Sequence, residues 1–118
     1  MESVTVFDGD LKLGDSRNAT MVFAQDFRMP RCALADRKLT VECSGVQILG
    51  DADQKEISSH RVYFDQLLLG RLDSDRGEFS ILPPVDAGVH RVRVEVSTFP
   101  GFGLCDDFSL RRITFEYA

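Results

Sequence analysis

Two aspartates, Asp106 and Asp107, stand side by side in "GLCDDFSLRRITFEYA", directly before an alternating apolar run. Carboxylate oxygens are hard ligands, and calcium takes six to eight oxygens, so this pair is a candidate metal site. Asp8, Asp10 and Asp15 in "FDGDLKLGD" form a second acidic cluster, from which Asp8 and Asp10 are candidate ligands to the same ion. Two carboxylates alone do not hold calcium; backbone carbonyls or a third acid must join them. The alternative is local: Asp106 or Asp107 forms an Asx turn before the last strand, and Asp8–Gly9 is a hairpin turn.

The loop "STFPGFGLCDDFS" also carries Phe99 and Phe102, spaced by proline and glycine. Rings held in irregular backbone at the end of a rigid scaffold suit a ligand pocket or a partner's surface, although they can equally fold back over a core. Phe99, Phe102, Asp106 and Asp107 are therefore the expected ligand-binding set. In "QLLLGRLD", Leu67, Leu68 and Leu69 run consecutively, so that successive side chains alternate faces and at least one must point away from the core. These three are the expected interface with a protein partner or a second copy of the chain.

The inventory for catalysis is thin. There are two histidines, His60 and His90, and three cysteines, Cys32, Cys43 and Cys105, with no CxxC spacing and no tryptophan. His90 shares the parity of Val92 and Val94 and reads as a hydrogen-bonded histidine at the core edge. His60, after "SS" at the end of a loop, reads as exposed. Cys43 alternates with Leu39 and Val41 and reads as a small core residue rather than a nucleophile. No catalytic residue is assigned, and the chain is read as a non-enzyme.

The 118 residues fit one domain, spanning positions 1–118, with 43% hydrophobic and 28% charged residues, a composition that can build a core without staples. The net charge is −5, with 7 basic against 10 acidic residues up to His60 and 7 against 9 beyond it. Neither half supplies the clustered cations that nucleic acid or an anionic membrane requires, so neither partner is expected. The start "MESVTVFDGDLKLG" lacks a basic-then-apolar leader, and the odd cysteine count fits a reducing compartment. A cytoplasmic location is expected for the chain as given, and an extracellular one if it is a mature fragment, where Cys32 and Cys105 could be bridged.

Period-two alternation broken by Gly, Pro and Asp dominates the sequence, and no stretch holds a helical period. The expected strands are Ser3–Phe7, Ala19–Ala24, Lys38–Leu49, Arg61–Leu69, Glu78–Leu82, Val89–Thr98 and Leu110–Tyr117. "DGD" at Asp8, "SDRG" at Ser74 and "DAG" at Asp86 supply turns, Gly45 a bulge, and Gln25 to Arg37 the one place for a helical turn. The last two strands are expected to pair, with Val92 opposite Phe115, Val94 opposite Ile113, Arg91 opposite Glu116, Glu95 opposite Arg112 and His90 opposite Tyr117. Seven or eight such strands predict an all-β fold, a two-sheet antiparallel sandwich of jelly-roll or immunoglobulin-like type.

From His60 to Ala118 the chain resembles the galactose-binding-like β-sandwiches, which include calcium-dependent carbohydrate-binding modules. The resemblance rests on "VYFDQLLLGRLDSDRGEFSILPPVDAGVHRVRVEV" followed by "DDFSLRRITFEY", with Asp65, Gly70, Gly88, His90 and Asp106–Asp107 at the matching steps. It implies non-catalytic sugar binding at a loop end, with calcium held near the chain ends. With no tryptophan and two tyrosines present, Phe99 and Phe102 are the rings expected to stack on a sugar.

Overall fold

The computed structural model describes residues 2–12, 20–29, 37–45, 60–81, 86–97 and 108–117. Within them the alternating segments form eight strands: β1 (Glu2–Lys12), β2 (Thr20–Met29), β3 (Lys38–Ser44), β4 (His60–Phe64), β5 (Leu67–Arg71), β6 (Arg76–Ser80), β7 (Gly88–Ser97) and β8 (Ser109–Tyr117). No helix among the described residues is long and apolar enough to cross a membrane. Two four-stranded sheets stack face to face, in the orders β1-β8-β3-β6 and β2-β7-β4-β5, and every neighbouring pair is antiparallel.

The pairing has a simple rule. The first strand lies beside the last, the second beside the seventh, the third beside the sixth and the fourth beside the fifth. That is one long hairpin rolled on itself, the jelly-roll form of the double Greek key. Its tip is the β4–β5 hairpin, where the chain turns through Asp65 and Gln66. At the other described steps, consecutive strands lie in opposite sheets.

This topology overturns the expected partnership of the last two strands. β7 pairs with β2 and β4, β8 pairs with β1 and β3, and the two meet across the core instead of edge to edge. The facing was nonetheless right, since Val92, Val94 and Val96 are fully buried, as are Ile113 and Phe115. His90 lies opposite Phe27, not Tyr117. The charges of the supposed pairs find other partners: Arg91 meets Asp26, Glu95 meets Arg61 and Arg93, and Glu116 meets Lys38.

Other expectations shift in smaller ways. Arg61–Leu69 is two strands, because the turn at Asp65 splits it. Asp8–Gly9 is not a hairpin turn; it lies inside β1, where the register against β8 jumps between Asp8 and Leu11, so that Gly9 and Asp10 form a bulge. The bulge expected at Gly45 falls earlier, between Glu42 and Cys43, while Gly45 takes a positive φ of 77° just past the strand end. Gln25 to Met29 is strand, and positions 30–36 lie outside the described residues.

The core lies between the sheets and is built on Phe23, Phe27, Phe64, Phe108 and Phe115 with Leu39, Val41, Leu72 and the β7 valines. His60, expected to be exposed, is fully buried, with its ring 4.7 Å from that of Phe108. The strand begins one residue earlier than the alternation suggested, which carries His60 inward with Val62 and Phe64. Cys43 is buried as expected, and its thiol donates to the Ser74 carbonyl at 3.6 Å.

Candidate functional site

The most ordered constellation of polar groups lies at the tip of the rolled hairpin. Two residues connect β4 to β5, and such a tight turn calls for a positive φ, which Asp tolerates better than most side chains. Asp65 adopts φ 54°. Its backbone N–H donates to the Arg91 carbonyl at 2.7 Å, and its carboxylate accepts the Arg91 N–H at 3.0 Å through Oδ1. The other oxygen, Oδ2, sits 2.8 Å from His90 Nδ1, and His90 Nε2 lies 2.6 Å from the Asp86 carbonyl oxygen.

A carboxylate and a carbonyl can only accept, so the two contacts are both satisfied when the ring is protonated and each nitrogen donates. Burial pushes its pKa down, but the hydrogen bonds to Asp65 and Asp86 and the nearby negative charge outweigh burial and hold it above the ordinary value of 6.5. The ring stacks on Phe64 at 5.2 Å and is only 14% exposed along its side chain. Held between Asp65 and Asp86, this histidine clamps the hairpin tip to the start of β7. The apolar runs "VYF" and "LLL" either side of the polar pair "DQ" are the signal that could have revealed the turn.

Beside the clamp, the outer face of the β2-β7-β4-β5 sheet holds an open groove of ≈ 540 Å³. Val22, Ala24 and Asp26 of β2 form one wall, Arg91 and Arg93 of β7 the floor, and Gln66 the end. Val22 and Val89 are 52% and 61% exposed there. Both cations are engaged. Arg91 Nε donates to Asp26 Oδ1 at 2.7 Å, which lowers the Asp26 pKa and raises that of Arg91. Arg93 lies over the Tyr63 ring at 4.1 Å, with its Nε 3.4 Å from Glu95 Oε1. A groove whose arginines already face acids does not present the cationic surface that a polyanion needs.

The outer face of the other sheet has a shallower groove of ≈ 300 Å³ around Glu42, Arg76, Arg112 and Glu116. Glu42, Arg76 and Glu116 are in ion pairs there, with Arg76 3.1 Å from Glu42 and 3.3 Å from Glu78, and Lys38 3.7 Å from Glu116 and 3.4 Å from Glu78. The Lys38 hydrogen bond holds Glu78 below the usual carboxylate range. This face reads as a solvated ladder of ion pairs.

Of the expected site residues, Asp8 and Asp10 are exposed on β1 and face arginines: Asp8 is opposite Arg112, and Asp10 is 3.3 Å from Arg111. No three His, Cys, Asp or Glu side chains among the described residues are grouped to hold a metal. Phe99, Phe102, Asp106 and Asp107 lie outside the described residues. Leu67 and Leu68 are 48% and 46% exposed, while Leu69 packs partly against the core, which meets the expectation that the run cannot all face inward.

Compared with family models, with curated proteins and with solved structures, the chain matches none. The reading of its function therefore rests on the geometry above.

Proposed function

We propose that this protein is a non-catalytic binding module that contacts a protein partner through the β4–β5 hairpin. The observation that carries the reading is the pair of adjacent leucines, Leu67 and Leu68, each nearly half exposed at the start of β5, next to the turn that Asp65 ties to His90. Leu68 lies opposite Tyr63, whose ring carries the Arg93 guanidinium, so apolar, aromatic and arginine side chains stand together. Tyr and Arg are enriched at the centres of protein interfaces, and a preorganised hairpin loses little entropy on binding.

The test is photo-cross-linking from a reactive side chain placed at Gln66, in cells that make the protein. A single adduct of defined mass that Leu67→Ser or Leu68→Ser removes supports the reading. An adduct that survives both substitutions, or none, counts against it.

Calcium-assisted carbohydrate binding by Phe99, Phe102, Asp106 and Asp107 is the second reading. It is favoured by the resemblance of the C-terminal half and by the firm seating of Phe108, which follows Asp107 and is fully buried against His60. Its test is thermal unfolding with and without calcium. At free calcium a hundredfold above the dissociation constant, the native state gains about 2.7 kcal/mol. Asp106→Ala or Asp107→Ala should abolish that gain.

A further inference from the structure

Four strands border the two sheets, and three of them carry features that discourage pairing with another chain. β1 is broken by register shifts between Thr5 and Phe7 and between Asp8 and Leu11. In β5 the extra residue Leu69 makes a bulge, since Val62 faces Gly70 and Tyr63 faces Leu68. β6 is five residues long and exposes Arg76 and Glu78. Bulges, shortness and charge are the usual guards of a sheet edge.

β2 is neither bulged nor short, and the charge it bears is one acid and one base, Asp26 and Arg28. It pairs with β7 over ten consecutive residues, from Thr20 opposite Ser97 to Met29 opposite Gly88, without a register shift. Its sequence, TMVFAQDFRM, has no Lys, Pro or Gly. Among the described residues no strand covers its other side.

Two charges on its outer face decide what would cover it. Asp26 and Arg28 flank Phe27, and both are exposed. Asp26 meets Arg91, but Arg28 lies opposite Val89, so its own sheet offers no acid across the strand. We infer that β2 pairs antiparallel with β2 of a second copy of this chain, about a two-fold axis at Phe27, joining the two sheets into one of eight strands.

The register follows from the charges. An axis at Phe27 sets Asp26 of each copy opposite Arg28 of the other, and Gln25 opposite Met29, giving the self-complementary contact that two-fold symmetry demands. An axis at Asp26 or at Arg28 would oppose like charges. An axis at Gln25 would leave Asp26 facing Ala24 and Arg28 facing Val22. Backbone hydrogen bonds along the edge supply the attraction, as in other strand additions, and the two ion pairs select the alignment.

Sedimentation equilibrium up to about 1 mM, which reaches the weak end of specific association, should find wild-type chains at twice the 13.2 kDa monomer mass. Asp26→Arg and Arg28→Asp each oppose like charges and should return the monomer mass. An equimolar mixture of these two variants should recover the doubled mass, because each introduced charge then meets its opposite in the mixed pair.

A second readout uses the wild type alone. The Gln25 to Met29 amides that point away from β7 should exchange more slowly with solvent as concentration rises. The inference is overturned by a wild type that stays monomeric with concentration-independent exchange. It is equally overturned by a dimer that both charge variants leave intact, or by a mixture of folded variants that stays monomeric.

Discussion

His90 and Asp65 face each other at 2.8 Å at the turn of the β4–β5 hairpin, and this hydrogen bond joins the midpoint of the rolled chain to the start of its seventh strand. The pair makes stability depend on pH. Because folding raises the His90 pKa, the folded chain holds the proton more tightly than the unfolded chain does. The contribution is fully present below the unfolded value of 6.5 and is lost as pH rises through the higher folded value. The melting temperature should therefore fall as pH rises above 6.5, and His90→Gln should remove that part of the slope. Since Asp65 is open to water, the effect should stay within about 1 kcal/mol.

The same aspartate allows a sharper ranking. Asn at position 65 tolerates the positive φ and keeps an oxygen for the Arg91 N–H, but loses the charge that faces His90. Gly relieves the φ and loses both hydrogen bonds, and Ala loses both and is strained as well. Midpoints of urea unfolding should fall in the order wild type, Asp65→Asn, Asp65→Gly, Asp65→Ala. The last should lie about 2 kcal/mol below the first.

Much of this architecture is legible in the sequence, and what is not has a definite cause. Alternation in "HRVRVEV" and "RRITFEY" told which side of each strand is buried, and Val92, Val94, Ile113 and Phe115 are indeed inside. Alternation says nothing about which strand lies alongside. The charges that seemed to fix that choice do not, because Arg91 is as well served by Asp26 as by the Glu116 it was matched to. His60 was misread because "SS" before it suggested a loop, whereas the strand starts at His60 itself and turns it inward. The clamp was half visible: His90 was placed at the core edge with a hydrogen-bond partner, but the partner is 25 residues away along the chain and is supplied by the tertiary fold. The acidic pair Asp8 and Asp10 looked like ligands in isolation, and only the register against β8 reveals arginines beside them.

Where the two sheets meet beside β5 and β6, the ring of Phe79 lies against two glycines. A Cβ at Gly77 would stand 2.6 Å from Leu72 Cδ2 and 2.9 Å from Phe79 Cε2, and one at Gly70 would stand 2.9 Å from Phe79 Cε1. Leu72 is fully buried and has little room to retreat. Gly77→Ala should cost about 1–3 kcal/mol through overpacking, read as a lowered urea midpoint with an unchanged slope. Phe79→Leu in the same chain should recover part of the loss, since it withdraws one of the two opposing groups.

Cys43 should be chemically silent in the native state. Burial, helped by the charge of Asp75, pushes its pKa up to about 12. At neutral pH only about one molecule in 10⁵ carries the thiolate that reacts. In a Cys32→Ser, Cys105→Ser background, a thiol reagent should label Cys43 only at the rate of opening, and labelling should become rapid in denaturant. Prompt labelling of the folded chain would show instead that the end of β3 opens readily.

Phe108 should be costly to remove. It is fully buried, and its ring lies 4.7 Å from that of His60, so it pins the start of β8 against β4. Truncation leaves a cavity and exposes the buried imidazole to it, and Phe108→Ala should lower stability by about 3–5 kcal/mol. Phe108→Leu, which keeps most of the volume, should lose under half as much. The pair of variants also bears on the two functional readings, because Phe108 follows Asp107 directly. If a calcium-induced rise in melting temperature exists and shrinks in Phe108→Leu while Gln66 cross-linking is unchanged, the acidic loop and the hairpin act as separate surfaces. Equal loss of both would mean that the two ends of the sandwich are coupled, with the stability of β8 carried through His60 and along β4 to the β4–β5 tip.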